Sequence, residues 1–126
     1  MGTNYYMSTP DKEVKEKYLR NYELTDKPTW GYEIHIVKLS AGWIPLFQAH
    51  EGAFNSYAEL QKLVSTGHFI IYDEYMQIFT WEEFDAKVQS WMKRRKELKS
   101  HLSPECYGLN TFLDGDGYEF VRRYFR

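Results

Sequence analysis

GYEIHIVKLSAGWIPLFQAH, running from Gly31 to His50, reads as two β-strands joined by a tight turn at Ser40-Ala41-Gly42. Tyr32, Ile34 and Ile36 alternate with Glu33, His35 and Val37, the period of a strand with one buried face. The run from Trp43 to Ala49 is aromatic and branched and supplies the second strand. Gly42 offers the positive φ that tight hairpin turns need.

Outward from this hairpin, the totals set bounds. A chain of 126 residues holds one domain with a real core, and residues 1–126 are read as that single domain. Hydrophobic residues make up 43% and aromatic residues 18%, which favours a sheet with a large buried payload over a disordered chain. The net charge of −2 excludes general attraction to nucleic acid. Its distribution is uneven. Residues 1–92 hold 8 Lys/Arg against 13 Asp/Glu, while residues 93–126 hold 8 against 5. The one cysteine, Cys106, excludes an internal disulfide and suits a reducing cytosol. No secretory leader pattern opens the sequence, and no apolar run approaches the roughly 20 residues of a membrane span.

The remaining elements follow from local signals. Thr3 to Met7 suggests a first strand. Ser8-Thr9-Pro10-Asp11 suggests the start of a charged surface helix reaching Arg20, and Asn21 to Thr29 reads as a loop. Ser56-Tyr57-Ala58-Glu59 and Thr80-Trp81-Glu82-Glu83 both have capping-box spacing. The first opens a helix stopping at Gly67. The second opens a helix with the stripe Trp81, Phe84, Val88, Trp91 and Met92, continuing to about Lys99. Phe69 to Tyr72 and Met76 to Phe79 are strands around the turn Asp73-Glu74-Tyr75. Asp114-Gly115-Asp116-Gly117 is a turn before a last strand, Tyr118 to Phe125. The expected fold is α+β: a mostly antiparallel sheet with two to three helices packed on one side.

The opening MGTNYY, the block EIHIVKLSAGW from Glu33 to Trp43, IYDEY from Ile71 with the TWEEF helix start, and DGYEF near the end carry a resemblance. Together they resemble a group of small bacteriophage and prophage proteins, mostly uncharacterised, with no assigned activity to carry over. Relatives in that group place a Cys-x-x-Cys pair between the opening tyrosines and the histidine strand, which implies a zinc knuckle. This chain has no cysteine between Tyr6 and Tyr32, so a zinc here would be rebuilt from other residues. The resemblance implies a protein acting in the cytoplasm of an infected bacterium. Small phage proteins without enzymatic motifs are often inhibitors of host defence, anti-CRISPR proteins among them.

Candidate sites are few. If Leu39 pairs with Ile44, Glu33 faces His50 and His35 faces Gln48. The two histidines are then diagonal neighbours, about 7–8 Å apart between Cα atoms. Zinc takes imidazole, carboxylate and thiolate ligands, so Glu33, or Cys106 from the C-terminal part, would complete a structural site with His35 and His50. A longer turn shifts the register by one and separates the histidines. The plainer alternative is two histidines hydrogen-bonded at a sheet edge. Lys93, Arg94, Arg95, Lys96 and Lys99 form a basic stretch, extended by Arg122, Arg123 and Arg126. It suits phosphate contact, or equally the ordinary solvated end of a helix. Asp73 and Glu74 with Glu33 and His35 would be the carboxylates of a metal-dependent hydrolase, though acids are common at turns. Asp114 and Asp116 lack the later ligands of a calcium loop.

No glycine-rich phosphate loop, nucleophile elbow or HExxH helix is present. The expected function is therefore non-enzymatic. The leading reading is an inhibitor that binds a host defence macromolecule, foremost a type II CRISPR effector nuclease, through the acidic N-terminal helix and exposed aromatics. The alternatives are a nucleic-acid-binding accessory protein and a metal-dependent hydrolase.

Overall fold

The structure, a computed structural model, describes residues 2–9, 11, 13, 25–27, 31–50, 52–102 and 110–122. Its strands are β1 (Gly2–Thr9), β2 (Thr25–Lys27), β3 (Gly31–Ser40), β4 (Leu46–Gln48), β5 (Ile70–Asp73), β6 (Ile78–Phe79), β7 (Thr111–Leu113) and β8 (Glu119–Val121). Two helices are described, α1 (Tyr57–Val64) and α2 (Trp81–Met92), with a short 3-10 turn at Arg95–Glu97. The architecture is α+β, as expected, on one mixed sheet ordered β6-β5-β1-β3-β4-β8-β7, with β2 beside β3. Among the described strands every pairing is antiparallel except β4 with β8, which run parallel. The expected helix beyond Pro10 lies mostly outside the described residues. Ser8 and Thr9 close β1, and the Thr9 hydroxyl accepts from Asp11 N–H at 3.2 Å, as the expected cap would. The expected loop from Asn21 to Thr29 contains β2.

β3 is the spine. β1 covers one of its edges along the whole length, from Gly2↔Ser40 to Thr9↔Tyr32. Its other edge is shared: β2 takes Gly31 to Glu33 and β4 takes Val37 and Lys38. Tyr5 pairs with Val37 and Tyr6 with His35, so Ile36 is the extra residue of a β-bulge. The bulge lets Ile36 and Val37, neighbours in sequence, both join the core. Paired residues share a face. Tyr5, Met7, Ile34, Phe47, Ile71 and Phe120 accordingly form one apolar layer, and Leu60, Leu63, Phe84 and Val88 of the two helices belong to the same cluster. Trp81 and Trp91, placed in the stripe by sequence, pack against this cluster but are only half-buried.

The turn at Gly42 forms as expected: Trp43 N–H donates to the Ser40 carbonyl at 3.0 Å, with Gly42 at φ 84°. The strand after it does not. The register is Val37↔Phe47 and Lys38↔Leu46, one residue away from the Leu39–Ile44 pairing. The reason is that Gly42 and Ile44 are engaged elsewhere. Lys99 N–H donates to the Gly42 carbonyl, and Ile44 N–H to the Lys99 carbonyl, both at 2.9 Å. The same clasp accounts for the early end of α2. Its helix stops at Met92, and the chain turns to deliver Lys99.

Local caps behave as the spacing predicts. Thr80 accepts from Glu83 N–H at 3.1 Å, and the Glu83 carboxylate accepts from Thr80 N–H at 2.9 Å. At α1, Ser56 accepts from Glu59 N–H at 3.1 Å, but the Glu59 carboxylate accepts from Asn55 rather than Ser56. Asp114 ties the β7–β8 turn to this helix: its carboxylate accepts from Asp116, Tyr118 and Tyr57 N–H groups. It is a structural turn residue, as expected.

Candidate functional site

On the face of the sheet opposite the apolar core, the part around β3 is polar and buried. Glu33 (5% exposed), His35 (2%) and Tyr72 (1%) lie on it, with Tyr6 between them. The Tyr72 hydroxyl donates to the Glu33 carboxylate. Burial, then that carboxylate, holds the Tyr72 proton on well above the usual phenol range. The Tyr6 ring stacks on Tyr72 at 5.8 Å between centroids and tilts against His35 at 5.4 Å. His35 Nε2 bonds Asn4 Oδ1 at 2.9 Å. Because the acceptor is an amide oxygen, that nitrogen carries the proton.

His35 lies in the gap along β3 between the residues paired with β2 and those paired with β4. Its carbonyl accepts instead from His50 Nε2–H, at 2.7 Å. His50 is 5% exposed, and burial lowers its pKa to about 4, so the ring is neutral at pH 7. The sequence brought these two histidines together by a cross-strand register that does not form. They are linked instead from the imidazole of one to the backbone of the other. Each uses Nε2 on a protein oxygen. Among the described residues no three His, Cys, Asp or Glu side chains stand together as a metal-holding group. Cys106, the fourth expected ligand, lies outside the described residues.

The basic stretch is exposed throughout Lys93, Arg94, Arg95 and Lys96, and at Lys99. Two of its cations rest on rings: Arg94 over Trp91 at 5.0 Å and Lys99 over Trp43 at 5.5 Å. Trp43 also stacks on His101 at 4.8 Å. His101 bonds the Ile44 carbonyl at 3.0 Å, and its burial lowers its pKa. The Glu119 carboxylate accepts from Ser100 Oγ at 2.5 Å and from His101 N–H at 2.7 Å. These contacts hold the turn after the basic stretch against β8. Arg122 stacks over Phe112 at 4.0 Å, and Arg123 and Arg126 lie outside the described residues.

Asp73 and Glu74 do not converge with Glu33 and His35 as a carboxylate cluster; both hold the β5–β6 hairpin. One Asp73 oxygen accepts from Tyr75 and Gln77 N–H, each at 2.9 Å. Glu74 exchanges two bonds with Asn4 of β1: its N–H donates to the Asn4 carbonyl at 3.0 Å, and its carboxylate accepts from Asn4 N–H at 2.7 Å. Beside the exposed Glu74 and Gln77, this hairpin presents three apolar residues. Tyr75 is 71% exposed, Met76 43% and Ile78 55%. Met76 has φ 67°, a left-handed conformation that unbranched side chains occupy at a cost. Sequence reasoning saw only a turn here. The one signal was a methionine where glycine or asparagine is the relaxed choice. No family model, curated protein or solved structure matches this chain.

Proposed function

We propose that the protein is a phage-encoded, non-enzymatic inhibitor that works in the cytoplasm of the infected bacterium by binding a host defence macromolecule, foremost a type II RNA-guided nuclease. The supporting observation is the β5–β6 hairpin. Three large apolar side chains stand in solvent on a hairpin whose turn is tied down by six hydrogen bonds at Asp73, Glu74 and Asn4. Exposed apolar groups on a preorganised turn suit partner binding, because little ordering entropy remains to be lost. The choice of host partner rests on the resemblance to phage proteins. The test is cleavage by a purified, guide-loaded nuclease with and without stoichiometric protein. Full cleavage at saturating protein, with no co-migration on size exclusion, rejects this target.

The exposed cations from Lys93 to Lys96 favour a second reading, a nucleic-acid-binding accessory protein. A structural zinc also belongs to the proposal. It would draw on His35 and His50 with Glu33 or Cys106, of which Cys106 lies outside the described residues. Elemental analysis of tag-free protein, with and without chelator, decides it.

A further inference from the structure

The charge along the β5–β6 hairpin and the start of α2 is mostly acidic, with Lys87 of α2 as the nearby cation, its ammonium 5.4 Å from the Phe79 ring. From Ile70 to Ala86 the chain carries Asp73, Glu74, Glu82, Glu83 and Asp85, and no lysine or arginine. Glu74, Glu82 and Glu83 are exposed. Their carboxylates bracket the apolar tip in sequence, one inside the turn and two in the first turn of α2. β6 is the last strand of the sheet among the described residues, so the hairpin forms one edge of that sheet. On β6, Ile78 pairs with Tyr72 and so shares a face with Ile70, itself 38% exposed. The apolar surface thus continues from the tip along the strand.

The backbone at the tip is held against its own preference. Met76 N–H donates to the Asp73 carbonyl at 3.0 Å, closing the turn with Met76 at φ 67°. Glycine would meet the same geometry without strain, and asparagine nearly so. The side chain that is retained here packs little in the free molecule, being 43% exposed. Strain held for an exposed apolar group points to use of that group.

We infer that the hairpin tip enters an apolar depression on a partner protein whose rim is cationic. Tyr75 and Met76 fill the depression, and Glu74, Glu82 and Glu83 meet the rim. This surface rests on the binding role proposed above and specifies its partner: a protein face rich in lysine and arginine around an apolar centre. Desolvated aromatic and methionine anchors inside a charged border are the arrangement in which a few residues dominate affinity.

The test uses the intact protein and, as a probe of that chemistry, a soluble peptide of alternating lysine and leucine, followed by amide NMR. The largest shifts are expected between Asp73 and Phe79. The affinity is expected to fall about tenfold in Tyr75→Ala. It should also weaken as salt shortens the Debye length from about 10 to about 3 Å. Met76→Gly and Met76→Asn carry the sharper outcome. Both should raise the melting temperature and weaken peptide binding, a combination that a merely structural methionine would not give. Shifts centred on another surface, or both Met76 variants binding as wild type, would overturn the assignment. The nuclease assay separates this surface from the proposed target. Peptide shifts at the tip with no nuclease inhibition reject the target and support the surface. Inhibition that survives Tyr75→Ala and Met76→Gly rejects the surface and keeps the inhibitor.

Discussion

Two parts of this molecule carry carboxylates beside tyrosines, and they do opposite things. In the polar layer, Glu33 is buried and receives the Tyr72 hydroxyl, with Tyr6 and His35 packed alongside. At the β5–β6 turn, Glu74 is exposed and its neighbour Tyr75 stands 71% in solvent. The first arrangement spends its polar groups inside the fold, where an unmade hydrogen bond is costly. The second spends its backbone and the Asp73 and Glu74 carboxylates on the fold and leaves the Tyr75 and Met76 side chains in solvent. Residue type does not separate the two; burial and partners do.

The contrast is broken most forcefully through stability. Phe47 is fully buried and stacks on Phe120 at 5.2 Å, beneath the polar layer. Phe47→Ala should cost about 3–5 kcal/mol. Tyr75→Ala should change stability by less than about 0.5 kcal/mol, as for surface positions generally. Denaturant melts of both variants read this directly. A loss above about 2 kcal/mol in Tyr75→Ala would show that the tip belongs to the fold rather than to a partner.

The next effect is pH dependence through His50. Its pKa is lowered from 6.5 to about 4 in the folded chain, chiefly by burial. The unfolded chain therefore binds a proton between these values that the folded chain refuses. Stability is intact above about pH 6.5 and falls as the pH drops toward 4, by about 1.4 kcal/mol per unit. His50→Gln retains a donor near the His35 carbonyl and removes the titration. The difference between the two stability curves should be constant above pH 7 and shift progressively in favour of the variant below pH 6. Parallel curves over that window would mean that His50 stays solvated and the polar layer is open.

A smaller change sharpens the same side. Tyr72→Phe deletes the hydroxyl that Glu33 receives and should cost about 1–3 kcal/mol, the usual range for a buried partner left behind. Removing the Ile78 side chain, across the strand pair from Tyr72, should cost less because that residue is 55% exposed.

How much of this was readable in advance follows from the range of each signal. The Thr80–Glu83 box and the Gly42 turn depend on neighbours within four residues, and both form as read. The β4–β8 pairing joins Leu46 to Glu119 through strands of three residues, too short for a period to show. That parallel pair, the clasp of Lys99 by Gly42 and Ile44, and the bulge at Ile36 together set the histidine geometry. A one-residue change in register was enough to replace a shared histidine face with an imidazole-to-backbone bond. Of the expected site residues, Glu33 and His35 share a face of β3 and His50 bonds the His35 carbonyl, while the partners Tyr72 and Asn4 had no signal in the sequence. The exposed tip was missed because no residue type announces a φ of 67°.

The smallest expected effect on stability concerns the basic stretch, and it decides between the two binding readings. Lys93, Arg94 and Arg95 are exposed beyond the end of α2, and Arg94 rests on the Trp91 ring. Reversing all three to glutamate should shift stability by less than about 1 kcal/mol, because solvated charges contribute little to the fold. If the stretch contacts phosphate, the same change should lower nucleic-acid affinity uniformly across sequences. It should also flatten the dependence of log affinity on log salt by up to about 3, roughly one unit for each phosphate no longer neutralised. If the protein acts through the β5–β6 tip, inhibition of the nuclease should persist in the triple reversal and disappear in Tyr75→Ala. Loss of inhibition in the triple reversal, with Tyr75→Ala still active, would move the working surface from the acidic hairpin to the basic turn. The opposite ends of α2, acidic at Glu82 and Glu83 and basic beyond Met92, would then have exchanged roles.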